Sequence, residues 1–73
     1  MTYIEALEEI KQIHPKKMML SKKEVAELTN RSLSALDRDI RDGTGISYKK
    51  IRGRILYSIV DTAKWMSNLI QTA

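Results

Sequence analysis

The chain has 73 residues and a net charge of +4, with one histidine and no cysteine, enough for one domain with one modest core, since a chain this small buries only about 60% of its unfolded surface. Without cysteine there are no disulfides, thiolate metal ligands or cysteine nucleophiles, and His14 alone builds no metal site. No apolar run approaches the roughly 20 residues of a membrane helix, and no secretory pattern opens the chain, so a cytoplasmic protein with no membrane association is expected.

The charge is uneven. Residues 1–13 carry Glu5, Glu8 and Glu9 against Lys11, a net of −2, which leaves +6 on the remainder. Thr2 and Glu5 have capping-box spacing, in which each side chain satisfies a free N–H at a helix start. Ile4, Leu7, Ile10 and Ile13 recur at helical spacing, which predicts an N-terminal helix with those residues on its core face. His14-Pro15 ends it, because proline disfavours helical geometry in the preceding residue. His14 is expected to be a surface residue at that end. Met18, Met19 and Leu20 are expected to form a short extended segment against the core.

Ser21 and Glu24 repeat the capping box and open a short helix from Lys22 to Leu28. The pattern breaks at Thr29-Asn30-Arg31, with Asn30 as the candidate for a left-handed turn, a conformation asparagine tolerates well. Ser32 then has the character of an N-cap, for a helix running to Asp42 and stopped by Gly43. Two short helices joined by such a turn predict a helix-turn-helix. Tyr48–Ile51 and Arg54–Tyr57 are β-prone tetrads separated by Arg52-Gly53, which predicts a tight hairpin. A last helix begins near Ser58 or Ile59, with Val60, Ala63, Met66, Leu69 and Ile70 as its apolar stripe and Trp65 beside it. Trp65 and Tyr57 are expected in the core. The architecture expected is mainly α with a small β-hairpin, a single domain over residues 1–73 whose extra N-terminal helix occupies residues 1–15.

At about 100° per residue, Leu33, Leu36 and Ile40 fall on one side of the third helix and Ser34, Arg38 and Arg41 toward the other. Serine and arginine on an open helix face suit base edges and phosphates, and the N–H groups at Ser32 suit a phosphate. The competing reading is a solvated face, with Arg38–Asp42 and Asp37–Arg41 as weak i,i+4 pairs. Asp37 can accept a hydrogen bond from cytosine N4, but the simpler expectation is that it orients Arg41. Lys49, Lys50, Arg52 and Arg54 flank the Arg52-Gly53 turn, so their charges are expected to converge at its tip. There they contact phosphates, or Arg52 or Arg54 enters a narrow minor groove; alternatively the lysines and arginines only guard a strand edge. Double-stranded DNA is thus the expected partner. With no glycine-rich phosphate loop, metal cluster or converging titratable pair, neither an enzyme nor a cofactor nor a small-molecule substrate is expected.

The ordered set SKKEVAEL (21–28), SLSALDRDIRDG (32–43), KKIRGRILY (49–57) and DTAKW (61–65) resembles the AlpA-like and excisionase-like regulators, within residues 20–66. The resemblance implies a MerR-type winged helix-turn-helix, with a recognition helix starting near Ser32, Arg38 as its central basic residue and Arg52-Gly53-Arg54 as the wing. It also implies a nucleoid-associated protein of a mobile element, acting as an excisionase or a transcriptional regulator, whose partner is an integrase or further copies of itself on DNA. The chain departs from the family at Asn30-Arg31, where glycine and an aliphatic residue are common, and at Asp39, where an aromatic is common. Arg31 is therefore expected to be free to face the DNA backbone. The acidic first helix lies outside the resemblance, either as a packing cap or as a surface for a protein partner, which leaves a protein-interaction adaptor as the alternative function.

Overall fold

A computed structural model of the chain describes residues 2–71, with side chains described for residues 2–68. In chain order the elements are α1 (Tyr3–Ile13), β1 (Met19–Ser21), α2 (Lys22–Thr29), α3 (Leu33–Asp42), β2 (Lys49–Ile51), β3 (Arg54–Ser58) and α4 (Ile59–Gln71). Each helix start is fixed by a hydroxyl. Thr2 with Glu5 and Ser21 with Glu24 form reciprocal capping boxes, Ser32 Oγ accepts from the Ala35 N–H, and Ser58 Oγ accepts from the Asp61 N–H. These bonds satisfy donors that the first helical turn leaves free.

Asn30 ends α2 in the left-handed region, φ 56°, and its N–H and that of Arg31 both reach the Ala26 carbonyl. The chain thus reverses in the three residues between α2 and α3. The hairpin turn has φ 52° at Arg52 and 79° at Gly53, and two consecutive positive φ values give the twist that lets β2 and β3 pair closely.

The hairpin is part of a larger sheet. β1 pairs antiparallel with β3, Leu20 opposite Tyr57, so the three strands lie in the order β1-β3-β2. The expected extended segment at Met18–Leu20 is realised as this first strand, except that Met18 is 71% exposed. Leu20 and Tyr57 face the core, where Ile10, Val25, Leu36, Ile59 and Ala63 meet them. Ile46 reaches the same core from the loop between α3 and β2. Thr62 is buried at no cost in lost hydrogen bonding, because its hydroxyl donates to the Ser58 carbonyl.

Three apolar expectations change. On α1 the core face is Ala6 and Ile10, flanked by Tyr3 and Leu7, while Ile4 and Ile13 are 65% and 60% exposed. A spacing of three slips by about 60° per step around a helix, so the two ends of such a series point away from the middle. On α3, Leu33 is exposed where a core position was expected, and on α4 Val60 is exposed while Ile59 is buried. Leu69 and Ile70 lie outside the described side chains. Tyr57 is buried as expected, and Trp65 is half-buried against the core. α1 packs on α4, and its inner side chains belong to the core.

Candidate functional site

The outward face of α3 carries Ser34, Asp37, Arg38 and Arg41, all exposed. The face is fixed from below by Leu36, buried, and Ile40, packed against the core. Neither expected pair within the helix forms: among the described residues no carboxylate lies within 4.0 Å of Arg38 or Arg41. Asp37 is held instead by Lys22, from the first turn of α2. Its expected role of orienting Arg41 is thereby corrected.

Arg31 is also engaged. Its Nη2 donates to Asp39 Oδ2 at 2.7 Å, and its guanidinium lies 5.6 Å from the centre of the Trp65 ring. Asp39 in turn lies against Gly45, where a Cβ would come within 2.7 Å of its carboxylate oxygen. Arg31 therefore joins the α2–α3 turn to α3 and α4, and is not the free residue the sequence suggested. Its Nε is buried without a partner.

Lys49, Lys50, Arg52, Gly53 and Arg54 are all exposed, yet they do not converge on one side. Lys49 faces Leu56, Lys50 faces Ile55 and Ile51 faces Arg54, and successive strand residues alternate between faces. Lys50 therefore lies on the Tyr57 side of the sheet, Lys49 and Arg54 on the other, and Arg52 at the apex. The four cations thus surround the Arg52-Gly53 turn as a basic ribbon, with side chains on both faces of the sheet.

The hairpin and the helix pair meet at an open groove of about 410 Å³ lined by Ser21, Lys22, Lys23, Leu33, Gly53 and Arg54, with Ile55 at its floor. The hairpin tip thus sits beside the N-terminal turns of α2 and α3. Sequence reading passed over Lys22, Lys23 and Leu33. One signal was available: two lysines in the first turn of a helix oppose the helix dipole, so their presence calls for another reason.

Compared with known proteins, the chain matches no family model, no curated protein and no solved structure. Among the described residues no helix is long and apolar enough to cross a membrane, and no cluster of His, Asp or Glu could hold a metal ion.

Three titratable groups are shifted, Glu5 downward by the Thr2 backbone and side chain of its capping box. The Lys17 ammonium, with the Ser21 N–H, lowers Glu24 to about 2; His14 Nδ1 lies 3.4 Å from the same carboxylate. This corrects His14 from a plain surface residue to a half-buried neighbour of the α2 cap. Burial pushes the Tyr57 phenol up, with Asp37 and Asp39 adding to the effect.

Proposed function

We propose that the chain binds double-stranded DNA, with α3 as the recognition helix in the major groove and the β2–β3 hairpin as a wing. The carrying observation is the distribution of cations. Every ion pair among the described residues uses His14, Lys17, Lys22 or Arg31. Arg38, Arg41, Lys49, Lys50, Arg52 and Arg54 are exposed and have no carboxylate partner, on two elements that flank one groove. Unpaired cations in that arrangement suit phosphates, while Ser34, Arg38 and Arg41 suit base edges. Ser32, at the α3 N-terminus, and Lys22 and Lys23, at that of α2, continue the surface toward the wing.

Arg52 adds weight to the reading. A bulky residue at φ 52° occupies a conformation that glycine or asparagine adopts more readily. An arginine at that apex costs local stability and gains a guanidinium at the tip. Residues that break a local rule in this way concentrate at functional positions.

The winged helix-turn-helix of the excisionase-like and AlpA-like regulators is the form of fold this reading takes. The chain departs from the resembled regulators at Arg31 and Asp39, and in this structure those two side chains bind each other. On this reading the protein is a nucleoid-associated factor of a mobile element, acting in excision or transcription with an integrase or with further copies of itself. The burial of Ala6 and Ile10 favours α1 as part of the fold over the adaptor alternative.

The test is a salt-titrated binding assay on duplex DNA. Each phosphate contact contributes about −0.9 to the slope of log K against log salt. Arg52→Ala should lower affinity on all sequences and flatten that slope by about one contact. Arg38→Ala should cost about 1–3 kcal/mol and relax sequence preference at one position. No binding to duplex at low salt, or unchanged binding in both variants, refutes the proposal.

A further inference from the structure

Resting on the DNA-binding reading above, we propose that Asp37 is a specificity-determining residue that reads cytosine, and that Lys22 is its positioning residue. Asp37 stands on the outward face of α3 beside Ser34, Arg38 and Arg41, with its side chain 58% exposed. A carboxylate there is repelled by phosphates, and nothing on its own helix relieves it, because Arg41 does not pair with it.

Lys22 supplies what the helix does not. Its Nζ donates to Asp37 Oδ1 at 2.5 Å, across fifteen residues of sequence, from the first turn of α2. Asp39 Oδ2 is already committed to Arg31, so Asp39 and Asp37 have different tasks: one is tied inward to the turn, the other held outward. The Lys22 bond has two consequences. It offsets the charge of Asp37 near a phosphate backbone, and it fixes one oxygen so that Oδ2 remains open on the outward face. An open carboxylate oxygen on a recognition helix accepts from the exocyclic amine of cytosine, the base whose major-groove edge offers a donor without an adjacent purine N7 acceptor.

A brace between α2 and α3 would make the same contact and predict something different. A brace affects folding; a reading residue affects which base is chosen at one position. Leu33, one turn before Asp37 and exposed on the groove, places an apolar group beside the carboxylate where a thymine methyl or a sugar would lie.

The experiment is selection from a randomised duplex library with the full chain and with Asp37→Asn and Lys22→Met, followed by sequencing. Melting curves accompany each variant, and an unselected duplex measures non-specific affinity. The wild-type motif should contain a cytosine position. Asp37→Asn should move that position toward adenine, which asparagine contacts through N6 and N7, by at least about fivefold, equivalent to about 1 kcal/mol, with the other positions held. Its affinity for the unselected duplex should hold or rise, since a repelled charge is removed. Lys22→Met should weaken the cytosine preference without replacing it. A motif that Asp37→Asn leaves unchanged overturns this proposal and leaves DNA binding standing, as does duplex binding with no motif at all. A wild-type chain that binds no duplex overturns both.

Discussion

The contact between Gly45 and Asp39 provides a controlled test of how the region around α3 is held. Gly43 and Gly45 both have left-handed backbones, φ 72° and 79°. An added Cβ at Gly43 meets nothing within 4 Å, whereas at Gly45 it meets Asp39 Oδ2 at 2.7 Å and Asp39 Cβ and Cγ at 2.9 Å. Replacing either glycine by alanine carries the left-handed penalty, about 1 kcal/mol. Only at Gly45 must the carboxylate also move, and Asp39 is fixed by its bond to Arg31 and by the Thr44 N–H on its own carbonyl.

The Arg31–Asp39 pair has side-chain exposures of 32% and 19%. That places it between surface pairs, worth at most about 1 kcal/mol, and buried ones, whose disruption costs about 3–5 kcal/mol. About 1–2 kcal/mol is the appropriate figure for disturbing it. Gly45→Ala should therefore cost about 2–3 kcal/mol and Gly43→Ala about 1. With about 4–8 °C per kcal/mol in a domain of this size, the two variants should melt roughly 10–20 °C and roughly 5 °C below the wild type. Circular dichroism follows the melting, and Trp65 fluorescence reports on the guanidinium beside the ring. Adding Asp39→Ala to Gly45→Ala should make the combined loss smaller than the sum by about 1 kcal/mol, the mark of two residues in contact. Equal losses at the two glycines, or strict additivity in the double variant, would refute the claim that this ion pair locks the loop to α3.

Three other expectations concern separate parts of the molecule. Ile10→Ala should destabilise by about 2–5 kcal/mol and Ile13→Ala by less than about 0.5, since Ile10 is fully buried and Ile13 is 60% exposed; urea melts of the pair check this. Because Glu24 is lowered from 4.5 to about 2 by Lys17 and Ser21, its contribution is fully present above about pH 4.5 and is lost as pH falls toward 2; in Glu24→Gln the acid side of the stability profile should be flatter across that window. Arg52→Asn should raise stability by about 0.5–1 kcal/mol, because asparagine accepts the turn conformation more readily, while weakening duplex binding in the same preparation.

Local signals in the sequence were legible wherever one residue type answers one backbone need. The paired capping boxes at Thr2 and Ser21, the left-handed Asn30 and the Arg52-Gly53 turn all formed as expected. What the sequence hid was non-local. β1 was legible only as an extended segment and not as a paired strand, because its partner β3 lies more than thirty residues on, with Met19 opposite Ser58. Lys22–Asp37 and Arg31–Asp39 cross between elements, while the pairs expected from i,i+4 spacing did not form. At the site, the exposure of Arg38, Arg41 and the hairpin cations followed from periodicity. That Arg54 shares a groove with Lys22, Lys23 and Leu33 depends on how the hairpin folds back beside the helix pair, which no single stretch of sequence encodes.

The ion pairs have a pattern that bears on the proposed function. Each one links different segments: His14 and Lys17 reach α2, Lys22 joins α2 to α3, and Arg31 joins the turn to α3. Carboxylates that hold the fold together are thus neutralised by cations from elsewhere in the chain; of the cations left over, six lie on α3 and the hairpin, and Lys11, Lys16, Lys23 and Lys64 lie elsewhere. Meanwhile Glu5, Glu8 and Glu9 sit exposed on α1, which packs on α4. A surface built only for solubility intersperses the two signs; α2 and α3 do so here, whereas residues 49–54 of the hairpin carry four cations and no acid and α1 is net acidic. Such a distribution gives the molecule a polarity that orients it in the field of a polyanion before contact, and this steering fades as salt shortens the Debye length to about 10 Å at 0.1 M. On the proposed DNA-binding reading, in which one small domain buries little surface on the duplex, orientation before contact supports fast encounter, and the α3 and hairpin residues then decide which encounters last.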